Sequence, residues 1–371
     1  MGHGAWDCPV YFINLQSAVS TMLDDCIQNL MAEMHIPGMS IAVVQAGEPV
    51  LIKSYGFANI EHSIPATERT VYEIASIGKT LTAMLTMMLV DDGCIALDDT
   101  IVDYLENPPE AWKSVSLKHI LCHQSGIPSY TDAENYWNIT RLDLSKAEVL
   151  ALVTDLPLKF PLLQFTAYDN TGYYLLGLMI ERVTRQSYAE ALRDRILTPL
   201  GMTATGMNDP GEIVLHRAAG YRWEHTTQTL RNKPYYSPSV TYAAGGQLST
   251  IADLVKWEQA LQQGTLISQS GLEAMWQPQL STHGNEWEQL RYAVGLGWFV
   301  LNYQGRRVVG HNGSILGFAS NITRFMDDNI TAIVLCNLDN ISRPDAIALE
   351  IARYFCPQLT NVMLQPPPDN K

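Results

Sequence analysis

Ser76-Ile77-Gly78-Lys79 sets a hydroxyl and an amine three residues apart, where a loop gives way to an apolar stretch. A serine hydroxyl is a poor nucleophile until a base takes its proton. Residues three apart share one face of a helix, so Lys79 can stand beside Ser76. A lysine held among apolar neighbours loses its proton more readily and can act as that base. Unpaired N–H groups at a helix start suit a developing oxyanion. The plainer reading is a serine opening a helix and a lysine on the surface. The apolar run from Leu81 to Val90 argues against it, because Lys79 opens a helix that reads as buried. S-x-x-K is weak alone, since about one chance match is expected in a chain this long.

Tyr168-Asp169-Asn170 precedes a helix expected from about Gly172. A phenol can relay protons when nearby positive charge lowers its pKa. The alternative is a tyrosine at the core edge and an asparagine capping the helix. Tyr136-Trp137-Asn138 repeats the spacing and shows how common it is. His311-Asn312-Gly313, with Ser314 following, closes a strand candidate. The imidazole can donate to a substrate carboxylate or join the serine's proton network. Gly313 would permit close backbone approach, and the Ser314 N–H could complete an oxyanion hole. The alternative is a turn between two strands.

These residues must be positioned by the elements around them. Apolar spacing predicts a first helix from about Ser17 to Met34, then strands over Met39 to Gln45 and Val50 to Phe57 joined by a Gly47-Glu48-Pro49 turn. A buried helix follows over Lys79 to Val90. Helical stretches then dominate, over Leu117 to Cys122, Lys146 to Thr154, Gly172 to Thr184, Tyr188 to Leu197, Ile251 to Gln263 and Ser270 to Met275. Gly211 to Tyr242 reads as long loops. Its aromatics Tyr221, Trp223, Tyr235 and Tyr236, with Tyr242, either line a pocket or pack the loops down. Strands return over Tyr292 to Asn302, Arg306 to His311, Ser320 to Met326 and Ile330 to Asn337, before a last helix from Arg343 to Phe355. The two strand groups most simply join into one sheet, with the helical middle as an insertion and a cleft where the parts meet.

In chain order the clusters are S-x-x-K, Y-x-N and H-x-G. In that order the chain resembles the serine β-lactamase and penicillin-binding-protein superfamily. Within it, the chain is most similar to class C β-lactamase-related serine hydrolases, which include family VIII esterases, D-aminopeptidases and D-alanyl-D-alanine carboxypeptidases. Ile36-Pro37-Gly38, Leu117-Lys118-His119-Ile120-Leu121 with Ser125-Gly126-Ile127-Pro128, Pro199-Leu200-Gly201-Met202 and Ala244 to Thr250 match as well. The resemblance implies an α+β fold, with an antiparallel sheet from N- and C-terminal strands flanked by helices and a helical insertion. It implies one catalytic domain over 15–371, with an α/β part over about 15–80 and 240–356 and a helical part over about 81–239.

By that resemblance Ser76 is the acylated nucleophile and Lys79 helps to deprotonate it. Tyr168 shares the base role and protonates the leaving group. Asn170 orients Lys79 or the substrate, and the N–H groups of Ser76 and Ser314 form the oxyanion hole. Which of Lys79 and Tyr168 takes the first proton stays open. Three departures stand out. His311 occupies a position usually held by Lys, which points away from β-lactam carboxylates. Pro161-Leu162 replaces Pro-Gly before the tyrosine, and Gln124 replaces a Thr or Ser. The expected activity is hydrolysis of carboxylic esters. The alternatives are peptides ending in D-amino acids or β-lactams and, in another class, a non-catalytic binding module.

Composition narrows the rest. The chain has 371 residues, 47% hydrophobic and 17% charged, a globular balance that excludes disorder. Its net charge of −14 (24 − 38) disfavours nucleic acid and anionic membranes as partners. No apolar run reaches the ~18 residues of a spanning helix. H-E-x-x-H, G-x-S-x-G and phosphate-binding glycine motifs are absent, so neither metal nor cofactor is expected. Six dispersed cysteines and no visible export signal give a cytoplasmic expectation with reduced thiols. The expected partner is a small ester or peptide. The oligomeric state is not legible.

Overall fold

A computed structural model describes residues 10–279, 292–303, 305–341 and 343–359. Eight strands form one antiparallel sheet. Its order is Ile64–Pro65, Glu48–Asn59, Gly38–Gln45, Ile330–Cys336, Phe318–Phe325, Arg306–Ile315, Phe299–Tyr303 and Tyr292–Val294. The two expected strand groups therefore fuse at a single seam, where Ile41 pairs with Val334 and Val43 with Ala332. Both seam strands are buried along nearly their whole length. Side chains alternate between faces, so one apolar run must satisfy two cores. Ile41 and Val43 pack with the Val10–Glu33 helix (through Leu23, Ile27 and Met31) and the Pro344–Arg353 helix. Ala42 and Val44 face the Ile251–Gln263 helix and the helical body beyond it.

The helix of Gly78–Asp91 lies inside that body and buries eleven of its fourteen residues. Thr82 and Thr86 are accommodated because their hydroxyls return to the carbonyls of Gly78 and Thr82. Between this helix and Gln247 no described strand joins the main sheet.

The structure changes several expectations. Gly211 to Tyr242 is not only loop. It holds a two-stranded ribbon, Tyr221–Glu224 against Thr229–Asn232, and a short helix, Pro238–Thr241. The ribbon strands are four residues each and mostly half-exposed, too short and mixed for a period to show. Tyr292 to Asn302 is not one strand, because Gly295 to Trp298 forms a turn with Gly297 at φ +82°. That turn is plugged into the body by Leu296 N–H to Met275 O and Gly297 N–H to Leu121 O. A small sheet of Tyr72–Glu73, Gln247–Ser249 and Gly206–Met207 was not foreseen. Tyr188 to Leu197 is α-helical only to Leu192 and continues as a wider turn.

The described cysteines Cys26, Cys94, Cys122, Cys336 and Cys356 all carry unpaired thiols, while Cys8 and the proline-rich tail lie outside the described residues. Among the described residues, no helix is long and apolar enough to cross a membrane, and no group of His, Cys, Asp and Glu has the makings of a metal site.

Candidate active site

Ser76 sits in the tight turn Ala75–Ile77, immediately before the buried helix. Two segments fix that turn. Tyr72–Glu73 pairs with Gln247–Ser249, and Ile74 N–H donates to Gln247 O. From the main sheet, Ser320 Oγ donates to Ile74 O at 2.8 Å. Ala75 bends at φ +47°, a conformation that non-glycine residues adopt rarely. Two glycines let backbone approach the Ser76 nitrogen. A β-carbon on Gly313 would lie 3.2 Å from it, and one on Gly245 would lie 3.3 Å from it.

Lys79 is fully buried. Its Nζ reaches Ser76 Oγ at 3.3 Å, Asn170 Oδ1 at 2.7 Å and the carbonyl of Ala244. Carbonyl oxygens only accept, so Asn170 and Ala244 take two N–H bonds from the amine. A neutral amine has two such hydrogens and one lone pair, which leaves the lone pair for Ser76. Burial pushes the Lys79 ammonium down to about 7, with Asp169 opposing the shift. The ring of Tyr168 lies 4.8 Å from the Lys79 nitrogen and that of Tyr173 lies 5.5 Å away.

Asn170 is the first residue of the Asn170–Thr184 helix, not its cap. Asp169 caps it, accepting from Gly172 N–H at 3.0 Å. This frees the Asn170 side chain for Lys79. The Asp169 carboxyl is buried beside the lysine, and burial raises it to about 7 against the pull of the Gly172 and Thr171 N–H groups and Lys79.

His311 does not close its strand. The strand runs on from Arg306 to Ile315, and His311 and Gly313 pair with Ile322 and Ser320. The neighbouring strand stops at Phe299 opposite Gly310, so residues 311–315 extend past it beside the Ser76 turn. The His311 ring is buried, 5.0 Å from Phe299 and 6.3 Å from Tyr168. Burial, reinforced by Lys79, lowers its pKa to about 3. Ser314 is exposed at the cleft edge.

The structure thus brings Ser76, Lys79 and Asn170 into one hydrogen-bonded group, with Tyr168, His311 and Gly313 packed around it and Ser314 at the rim. Ser76, Tyr168, Asn170, His311 and Ser314 border a cleft of about 610 Å³. Of the five aromatics considered from the sequence, only Tyr236 lines it. Tyr221 bonds Glu61, Trp223 stacks on His35, Tyr235 bonds Asp143, and Tyr242 packs on Tyr174 and Tyr188. Tyr130, Tyr136, Trp137 and Phe299 line it instead.

Sequence reasoning also missed His123. It is buried 4.6 Å from the Tyr168 ring, and its pKa is held well below the usual value by burial, Lys79 and His311. It lies inside the matched segment around Gln124, where its strained φ of +56° gave no signal in the residue types.

Comparison with known proteins agrees with this architecture. The profile of the family described as Beta-lactamase matches residues 23–353. Penicillin-binding protein 4* of Bacillus subtilis (strain 168) is 27% identical over 342 residues, covering 88% of this chain and 73% of that protein. Protein flp of Staphylococcus aureus (strain MRSA252) is 29% identical over 322 residues, covering 86% of this chain. The chain spans 63% of protein flp's length. Among solved structures, the octameric penicillin-binding protein homologue from Pyrococcus abyssi superposes with a TM-score of 0.79 at 28% identity, over 91% of this chain and 77% of that one. The D-amino acid amidase from Ochrobactrum anthropi SV3, complexed with L-phenylalanine amide, gives 0.75 at 25% identity, over 92% and 97%.

Proposed function

We propose that this chain, which belongs to the β-lactamase family, is a hydrolase that forms an acyl-enzyme on Ser76 and acts on carboxylic esters. The carrying observation is the Lys79 amine, buried 3.3 Å from Ser76 Oγ with two carbonyl oxygens occupying its hydrogens. In this reading neutral Lys79 takes the Ser76 proton as Oγ attacks the acyl carbon. The oxyanion is held by the N–H groups of Ser76 and Ser314. Tyr168 relays that proton from Lys79 to the leaving oxygen, and water, giving one proton back through the same pair to Ser76 Oγ, then breaks the acyl-serine bond. Asn170 keeps the lysine aimed.

A second reading is hydrolysis of D-amino acid amides. It is favoured by the likeness to the D-amino acid amidase, which spans almost the whole of both chains. A non-catalytic module with this fold is opposed by the complete set of Ser76, Lys79, Tyr168 and Asn170.

The test is turnover of p-nitrophenyl butyrate, with and without prior benzylpenicillin, alongside fluorophosphonate labelling. Turnover that penicillin leaves intact, with label on Ser76, supports the ester reading. Turnover that penicillin abolishes moves the D-amino acid reading to first place. No label on Ser76, or Ser76→Ala keeping most of the rate, ends the hydrolase reading.

A further inference from the structure

The polarity of the cleft narrows the substrate class beyond "ester", on the footing of the hydrolase reading above. His311 Nδ1 lies 2.7 Å from the backbone oxygen of Asn312. A carbonyl oxygen can only accept, so Nδ1 carries the hydrogen and Nε2 keeps a lone pair. The ring is only 3% exposed and lies against Phe299 and Tyr168, surroundings that disfavour an imidazolium. Among the described residues bordering the cleft there is no Lys or Arg. Their one carboxylate is Asp339. Lys79 does not offset this, since it is fully buried behind Ser76 with its two amine hydrogens taken by the carbonyl oxygens of Asn170 and Ala244.

A substrate carboxylate entering here would lose its water and meet a lone pair, tyrosine and tryptophan rings and an acid, with no cation in return. We infer that the cleft selects acyl donors that carry no carboxylate, with uncharged aromatic or hydrogen-bond-donating groups on the side of His311, and turns away those bearing an anion there. The feature that sets this is a neutral His311 whose remaining ring nitrogen accepts.

Two esters of one acid test it, phenyl butyrate and 3-carboxyphenyl butyrate. They differ only by the carboxylate. Their binding to the Ser76→Ala protein, measured by calorimetry, reports the charge preference without needing turnover. The expected result is binding of the phenyl ester about tenfold or more tighter than its carboxylate twin. In the wild type kcat/KM, corrected for the esters' rates with hydroxide, should show the same order. His311→Lys should narrow or reverse the ratio. Equal binding, tighter binding of the carboxylate ester, or binding of neither overturns the inference. Failure of the wild type to hydrolyse either ester overturns the hydrolase reading instead, whatever the binding ratio.

Discussion

The backbone N–H of Asp169 donates to Nδ1 of His123 across 3.2 Å. Two residues earlier, Ala167 N–H donates to the carbonyl of the same histidine at 3.0 Å. One residue thus brackets Tyr168 from both sides while its ring packs 4.6 Å from the phenol. Accepting at Nδ1 puts the hydrogen on Nε2. His123 is therefore a positioning residue for Tyr168. His123→Ala should lower kcat by roughly 10 to 100-fold with KM little changed, since small misplacements of a reacting group are costly. His123→Asn should recover part of the loss, because its amide oxygen can take the Asp169 N–H. Kinetics on p-nitrophenyl butyrate, read beside the Tm of each variant, decide it. Equal damage in both variants at matched Tm would refute the bracket.

The proton on Lys79 gives a pH prediction with a definite sign. Its folded pKa is lowered to about 7, so the neutral base is scarce at acid pH and gains population as pH rises through about 7. A profile of kcat/KM should rise over that window and flatten above it. Asp169 titrates in the same region, so the apparent value belongs to the pair. Its negative charge raises the lysine's pKa, so Asp169→Asn should move the rising limb to lower pH while keeping an acceptor at the helix cap. Lys79→Met should cost on the order of 10² to 10⁴ in kcat. A limb that stays put in Asp169→Asn would uncouple the two groups.

Much of this was readable in the residues, and the misses share a cause. Ile41 to Val44 and Ile330 to Leu335 are continuous β-branched or apolar runs, so the sheet's centre showed itself. Ser76 and Lys79 were legible because helical spacing is fixed geometry. The Ala244–Gly245 backbone lies in a run that the resemblance matched, but its bond to Lys79, 165 residues away, has no local sequence signal. Neither has the cleft's aromatic wall. Tyr136 lies 100 residues from Tyr236, yet their hydroxyls are bonded. The His311 turn failed for a related reason. Asn-Gly ordinarily signals a hairpin, but here the strand continues and the actual reversal is at Leu316-Gly317. Gly313 was needed for a close approach rather than a turn.

That approach makes Gly313→Ala informative. Its β-carbon would fall 2.2 Å from Ser320 Oγ and 2.3 Å from Ile74 O. Ser320 Oγ can rotate, but the Ile74 carbonyl belongs to the backbone leading into Ser76. The strand and the Ser76 turn must separate. Overpacking of this kind costs about 1–3 kcal/mol, so the fold should survive with a lowered Tm. In the proposed reading acylation should suffer far more, by about 100-fold or greater, because the Ser76 N–H on the turn would move away from the Ser314 N–H on the strand. Fluorophosphonate labelling of Ser76 against time measures this directly. Labelling at the wild-type rate in a folded Gly313→Ala protein would show that the approach serves packing alone.

Tyr168 and Lys79 can be separated by the leaving group. If Lys79 removes the Ser76 proton, the phenol's task is to deliver a proton to the departing oxygen. A p-nitrophenolate leaves readily without that help, whereas an alkoxide does not. Tyr168→Phe should therefore slow p-nitrophenyl butyrate only modestly and ethyl butyrate by on the order of 10² to 10⁴, the usual span of general-acid assistance. The phenyl ring keeps its packing on His123 and Phe299, so the fold is not the variable. Rates over a series of aryl and alkyl butyrates would plot as a steeper dependence on leaving-group basicity in the variant. Parallel plots for the two proteins, displaced by one constant factor, would assign Tyr168 to the first proton transfer and take that role from Lys79.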